Sequence, residues 1–320
     1  MFAFPAISNR NFSLRYVSLS LKSIVLIMLV PSFDGYAGLP TAQFNSIRLS
    51  ASERDWEYGI EIVRIIEQSS LQLSMHLGIP EVPVHIVVAQ SESEFKKMTD
   101  NQIPDWGLAA AQPQTGTLYF KSPLLTGSNQ KLRKVVIHEL CHAMLGYALH
   151  GFSAPRWFDE GLALYHSEEL GLESKMILGR SLLMNQTIAL RDIDQVLTFR
   201  RGKATLAYEE SLSVMEFIVK TFGVELIPRL VKAFSAGQSQ EQAILNTTGM
   251  SFESFENAWS QYLRVTYLGY VLLDTRFLLS LLFIILFIMA LINQKVKTKK
   301  QHHIWENEET FTDTDYLQPG

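Results

Sequence analysis

Cysteine occurs once in 320 residues, as Cys141, so the chain can form no internal disulfide and its cysteine content says nothing about redox compartment. Cys141 stands at no ligand spacing and reads as a small core residue beneath a helix. Charge is sparse as well. Charged residues make up 19% of the chain, and the formal net charge is −4. No basic patch interleaved with aromatics occurs, which argues against nucleic acid as a partner. There is no internal repeat, and no low-complexity linker divides the middle of the chain. These absences leave one domain of about 200 residues with appendages. Extra apolar content is confined to the two ends.

The N-terminal end reads as a secretory signal over residues 1–37. Arg10, Arg15 and Lys22 give a positive start, Ile24–Val30 a short apolar core, and Gly35 and Ala37 small residues at the cleavage positions. An uncleaved anchor is the alternative, although the apolar run is too short to span a bilayer alone. Near the other end, Phe277–Ile292 has only Ser280 as a polar residue. Extended by Leu272 and Leu273 and flanked by Arg276, it reads as a transmembrane helix over 272–293. Lys295, Lys297, Lys299 and Lys300 follow and should hold residues 294–320 on the cytoplasmic side, as a tail with no core-forming pattern and no expected order. Residues 38–266 are then expected outside the cytoplasm. The modest size suits a bacterial periplasm, with which the lack of paired cysteines is compatible. Asn-x-Ser/Thr triplets at Asn11, Asn185 and Asn246 keep a eukaryotic lumen open.

The most informative stretch is His138-Glu139-Leu140-Cys141-His142, a His-Glu-x-x-His pattern in a helical context. Residues four apart on an α-helix differ by about 40° around the axis. Both imidazoles therefore leave on one face and can reach one metal ion. Glu139 is turned about 100° from His138, beside the ligands, where a general base for water activated by the metal must sit. A surface helix carrying the three residues idly is the alternative. Eighteen residues after His142, the run Trp157-Phe158-Asp159-Glu160-Gly161-Leu162-Ala163 brings a carboxylate on a second helix. Two histidines and one carboxylate make a zinc site that keeps its fourth position open.

These two motifs resemble those of the gluzincin metallopeptidases, and most closely the peptidase MA-like domains. Tyr208–Phe217, Phe222-Gly223, Gly249-Met250-Ser251 and Trp259 continue the similarity, which covers Ala51–Leu263. The resemblance implies one Zn²⁺ ion held by His138, His142 and Glu160, with Glu139 as general base and a peptide or protein as substrate. It also implies a Tyr or His from the helical lobe beside the developing oxyanion. Tyr208, which opens the matching helix, is either that residue or an aromatic core residue. His166 and Tyr165 follow Glu160 too closely and are expected to pack locally. In this family the strand before the zinc helix pairs with extended substrate. That places the pairing on Thr117–Phe120, for which an ordinary edge strand is the other reading. Two departures stand out. Where thermolysin-like enzymes carry an aspartate four residues after the third ligand, this chain has Leu164, so the partner of the ligand histidines is unassigned. Where aminopeptidases read a free amine with a carboxylate, Gly107–Ala111 has none.

Periodicity predicts an amphipathic helix over Ser52–Leu77, with Trp56, Ile60, Val63, Ile66, Leu71 and Leu73 near one face. A strand is predicted over Val82–Ala89, and a helix opened by Ser91 and Glu94. Two strands over Gly107–Ala111 and Thr117–Lys121 form a hairpin, and the zinc helix runs over Lys131–Leu149. Beyond Ser174 the pattern is helical, with breaks at Gly202, Gly223, Gly237 and Gly249. The expected fold is α+β: a small N-terminal β-sheet packed on the HExxH helix, then a mostly helical C-terminal lobe, with the cleft between them, plus the C-terminal transmembrane helix. The chemistry expected is that of a membrane-anchored zinc endopeptidase. A non-catalytic anchored binding or scaffold protein on a peptidase fold is the alternative, and a zinc hydrolase of non-peptide amides a third reading.

Overall fold

The computed structural model describes residues 39–101, 103, 107–127, 131–167, 170–273 and 275–315. The signal segment expected over residues 1–37 lies outside the described residues.

The N-terminal part is a five-stranded sheet. A hairpin of β1 (Thr41–Phe44) and β2 (Ile47–Ser50) leads through a 3-10 turn into α1 (Trp56–Leu77). Then come β3 (Val84–Ala89), α2 (Glu92–Met98), β4 (Ala109–Gln112) and β5 (Thr117–Lys121). The sheet order is β1-β2-β3-β5-β4, with β2–β3 and β3–β5 parallel and both outer pairs antiparallel. The expected hairpin of Gly107–Ala111 with Thr117–Lys121 is β4–β5. One expectation is corrected here. The strand over Thr117–Phe120 is no edge, because β5 is bonded to β3 on one side and β4 on the other. The open edge on that side of the sheet belongs to β4.

β1 and β2 were not anticipated. Each is four residues long, too short for a period-2 pattern to stand out, and β2 is held by β3, some forty residues along the chain. α1 forms where expected. Ser52 caps its entry turn, and Ile62, Ile66, Leu73 and Leu77 form its buried seam. Leu71, expected near that seam, is 59% exposed, since two residues along a helix turn it about 200° from Leu73. Ser91 accepts the Glu94 N–H as expected, while the Glu94 carboxylate accepts from the Gln90 N–H.

One face of the sheet carries Leu49, Ile86, Leu118 and Phe120 into the main core against Ile62 and Ile66 of α1 and Val136 and Leu140 of the zinc helix. The other face is closed by Phe95 of α2 over Val87, Ala89, Ala110 and Tyr119. After a short turn, α3 (Pro123–Thr126), the chain enters α4 (Leu132–Ala148) and α5 (Arg156–Ser167), the two motif helices. The helical lobe follows: α6 (Leu172–Leu183), a 3-10 stretch over Leu190–Thr198, α7 (Arg201–Phe222), α8 (Leu226–Ser235), α9 (Gln240–Thr248) and α10 (Phe252–Tyr267). Gly223 and Gly249 end helices as expected and Gly237 lies between α8 and α9, but Gly202 sits inside the first turn of α7. The fold is thus α+β, with a small N-terminal sheet on the zinc helix and a helical remainder.

A 3-10 segment over Leu268–Leu273 leads into α11 (Thr275–Asp315). Within α11, Leu278–His302 is long and apolar enough to cross a membrane, and none of its apolar window is buried by the rest of the chain. α11 runs as one helix to Asp315, whereas no order was expected over 294–320. A helix satisfies its own backbone hydrogen bonds and needs no packing partner to be continuous.

Candidate metal centre

α4 has no simple amphipathic stripe because it is covered on several sides. Val136, Ile137, Leu140, Cys141, Met144 and Leu145 are buried, and the remaining face carries His138, Glu139 and His142 into the cleft. α5 lies against both α4 and α7. Trp157 and Phe158 anchor it in the core, and the Trp157 indole N–H donates to Gln240 at 3.1 Å. Gly161 follows Glu160 because α7 leaves no room for more: a Cβ there would lie 2.5 Å from the Ser211 carbonyl oxygen. At the far side of α4, Gly146 makes the same kind of contact with the hairpin turn, where a Cβ would lie 2.0 Å from that of Pro113. The hairpin is thereby pressed onto α4.

The three predicted ligands converge. His138 Nε2 and His142 Nε2 are 3.1 Å apart, and each is 3.6 Å from Glu160 Oε2. Zinc–nitrogen and zinc–oxygen bonds of about 2.0–2.1 Å at a tetrahedral angle require ligand atoms separated by about 3.3–3.4 Å. The spacing fits a small tetrahedral cation. Among the described residues, this is the one group of three such side chains that could hold a metal ion.

The ligand partner that the sequence left unassigned is Asp159. Its Oδ1 lies 2.6 Å from His142 Nδ1. A carboxylate at Nδ1 makes that nitrogen the donor and leaves Nε2 to face a metal. Burial opposes charge on His142, but Asp159 outweighs it and holds the imidazole well above its usual range. Among the described residues no carboxylate is recorded at His138 Nδ1, and burial together with the neighbouring His142 pushes His138 down to about 4 against the pull of Glu160 and Asp159. Burial pushes Glu139 up to about 7, with the charge of His142 and hydrogen bonding from the Ala111 backbone pulling the other way. That contact places Glu139 against β4. Arg156 was also missed. Its Nη1 is 3.5 Å from Asp159 Oδ2 and 3.6 Å from Glu160 Oε1, so one cation tempers the carboxylates around the ligands. Asp159 directly precedes Glu160, and the signal for it was there to read: on a helix, adjacent residues diverge by about 100°, so one can ligate while the other reaches a ligand from the side.

Tyr208 lies on α7, half-buried, with its ring against the core; it does not open that helix as expected but stands about two turns inside it, because α7 already begins at Arg201. Its phenol is pushed up to about 12, first by burial and then by the charge of Glu160. It therefore belongs to the electrostatic surroundings of the centre. Tyr165 and His166 pack on each other with ring centroids 5.3 Å apart, but His166 is not confined to local packing, since its ring also lies 5.3 Å from that of His76 on α1. Beside the centre opens a cavity of about 980 Å³ with His142, Asp159, Arg156, Pro113 and Phe152 in its wall.

Residues 114–265 match the family model of the Peptidase MA superfamily, a segment that contains both motif helices and Tyr208. The resemblance read from the two motifs is thus borne out. No curated protein matches the chain. Among solved structures, an M1 zinc metallopeptidase from Deinococcus radiodurans is 16% identical, with a TM-score of 0.35, over 74% of this chain and 50% of that one. A mutant of an M1 zinc metallopeptidase from the same organism, bound to a Tyr-Ser-Ala substrate, is 15% identical with the same TM-score, over 72% and 51%. The chain spans about half the length of these structures.

Proposed function

We propose that this chain, whose residues 114–265 match the Peptidase MA superfamily, is a membrane-anchored zinc endopeptidase. The observation that carries the reading is the triangle of His138, His142 and Glu160 at tetrahedral spacing, with Glu139 beside it and against β4. When bound, zinc supplies a Lewis acid that acidifies water and polarises a carbonyl.

The remaining work falls to the chain's own residues. Leu108 O accepts from Lys121 N, so antiparallel alternation turns the main-chain groups of Ala109 and Ala111 away from β5. An extended peptide can add to that edge and be held by its backbone. Glu139 takes a proton from the attacking water and passes it to the leaving amine. Tyr208 donates to the carbonyl oxygen as charge develops there. Asp159 keeps His142 in the tautomer that presents Nε2, and Arg156 keeps the cluster of carboxylates from repelling itself. No carboxylate lies in Gly107–Ala111 to claim a substrate ammonium, which favours cleavage within a chain over removal of its first residue. α11 holds the domain at a membrane, with the domain outside and the Lys295–Lys300 end in the cytoplasm.

Zinc content and turnover test the reading together. The protein should bind about one equivalent of zinc, and both His142→Ala and Glu160→Ala should lose it. Glu139→Gln should keep zinc and fold while its rate on a peptide library falls by orders of magnitude. Full zinc occupancy in both ligand variants would remove the metal site. Undiminished turnover in Glu139→Gln would place the chemistry elsewhere.

A further inference from the structure

Among the described residues, the end of the domain that leads into α11 carries exposed aliphatic side chains. Val265 is 83% exposed, Leu272 61% and Leu273 55%, and Leu268 is also exposed. Arg264 stands exposed among them. Tyr270 is half-buried beneath Lys175 of α6, whose Nζ lies 5.7 Å from the ring centroid. Exposed aliphatics mixed with Tyr, Lys and Arg are what a membrane interface selects, since each has an apolar body and several a polar tip.

What covers this face is indicated by the chain itself. The sequence holds no Gly/Ser/Pro-rich tether between this face and α11: the 3-10 segment ends at Leu273 and α11 starts at Thr275. Leu273 stands four residues before Phe277, where the apolar run begins. At about 1.5 Å per residue of helix that is only about 6 Å, comparable to the headgroup layer on one side of a bilayer. Leu272 and Leu273 are thus brought to the lipid surface by the span itself. Leu268 and Val265 meet it only if the segment lies along the membrane, and their exposure as uncovered aliphatics is explained by that placement.

We propose that the face from Val265 to Leu273 rests in the headgroup region of the bilayer, so that the domain stands on the membrane in one orientation. The inference rests on the membrane reading of α11, and its test separates the two. The full chain would be placed in phosphatidylcholine–phosphatidylglycerol liposomes with an environment-sensitive fluorophore on single introduced cysteines. These are Val265→Cys and Leu268→Cys on the face, Leu282→Cys in the span and Leu71→Cys on exposed α1. Cys141 is buried, and wild type carried through the same labelling is the control for it. The expected result is blue-shifted emission at 265 and 268, quenched by nitroxide-bearing lipids to at least half the extent seen at 282, with Leu71→Cys unaffected. Water-like, unquenched emission at 265 and 268 alongside quenching at 282 would overturn the docked orientation and keep the anchor. Absence of quenching at 282 would overturn the anchor and the docking with it. A blue shift at 265 and 268 that lipid nitroxides do not quench and that grows with protein density would assign the face to a second copy of the chain and overturn the lipid contact.

Discussion

Asp159 Oδ1, at 2.6 Å from His142 Nδ1, decides which nitrogen of that ring faces the other ligands. Asp159→Asn keeps an acceptor there and removes the charge. Zinc affinity measured by chelator competition should fall about 10- to 100-fold, the usual cost of losing a partner behind a metal ligand. Unchanged affinity would confine Asp159 to its ion pair with Arg156. Tyr208 is tested by kinetics, because a hydroxyl aimed at the oxyanion acts mainly in the transition state. Tyr208→Phe should lower kcat by about 10²–10³ with little change in KM. A normal kcat with reduced thermal stability would mark it as a core residue. The ring already touches the core, so only the kinetic split separates the two roles.

At the scale of elements, the centre depends on two close approaches. α5 can lie on α7 because Gly161 presents no side chain to the Ser211 carbonyl, and the hairpin can lie on α4 because Gly146 presents none to Pro113. Together they set Glu160 opposite the histidines and β4 beside Glu139. The edge that this exposes is Ala109–Gln112, apolar at first and without a carboxylate. An unpaired ammonium closed into such a cleft would be costly. N-acetylated peptides should therefore be cleaved at rates similar to those of their free counterparts. Strict dependence on a free amine would refute cleavage within chains.

For the molecule as a whole, one buried carboxyl sets a pH window for stability. Glu210 on α7 is fully buried, and its carboxyl oxygens accept the Ile188 N–H at 3.1 and 3.3 Å. Burial pushes it up to about 8, with the Ile188 N–H pulling the other way. In the unfolded chain a glutamate gives up its proton near its ordinary value of about 4.3. Between these limits the folded state binds more protons than the unfolded one, so stability falls as pH rises from about 4.5 to about 8. The loss is on the order of a few kcal/mol. Glu210→Gln removes the titration. Thermal unfolding of both proteins at pH 5 and pH 8 should show the wild type losing more stability than the variant over that interval. Parallel losses would show that Glu210 is not what titrates.

Much of this protein was legible in one dimension because its determinants are local. A helix places residues four apart on one face, so His138 and His142 could be read as a candidate ligand pair before any fold was known, with Glu160 on a second helix as the candidate third. α1, α4 and the β4–β5 hairpin could be read from periodicity and turn residues, and α11 from sixteen nearly unbroken apolar residues, Phe277–Ile292. Tertiary structure decided what depends on partners distant in the chain. β1 and β2 are strands because β3 pairs with β2 from some forty residues away. β4 rather than β5 holds the open edge because β3 occupies the other side of β5. Asp159 serves His142 because α5 turns back against α4, a contact between helices that no spacing within one helix specifies. Sequence periodicity encodes which way a side chain leaves its own helix or strand, and only the packed chain determines what it meets there.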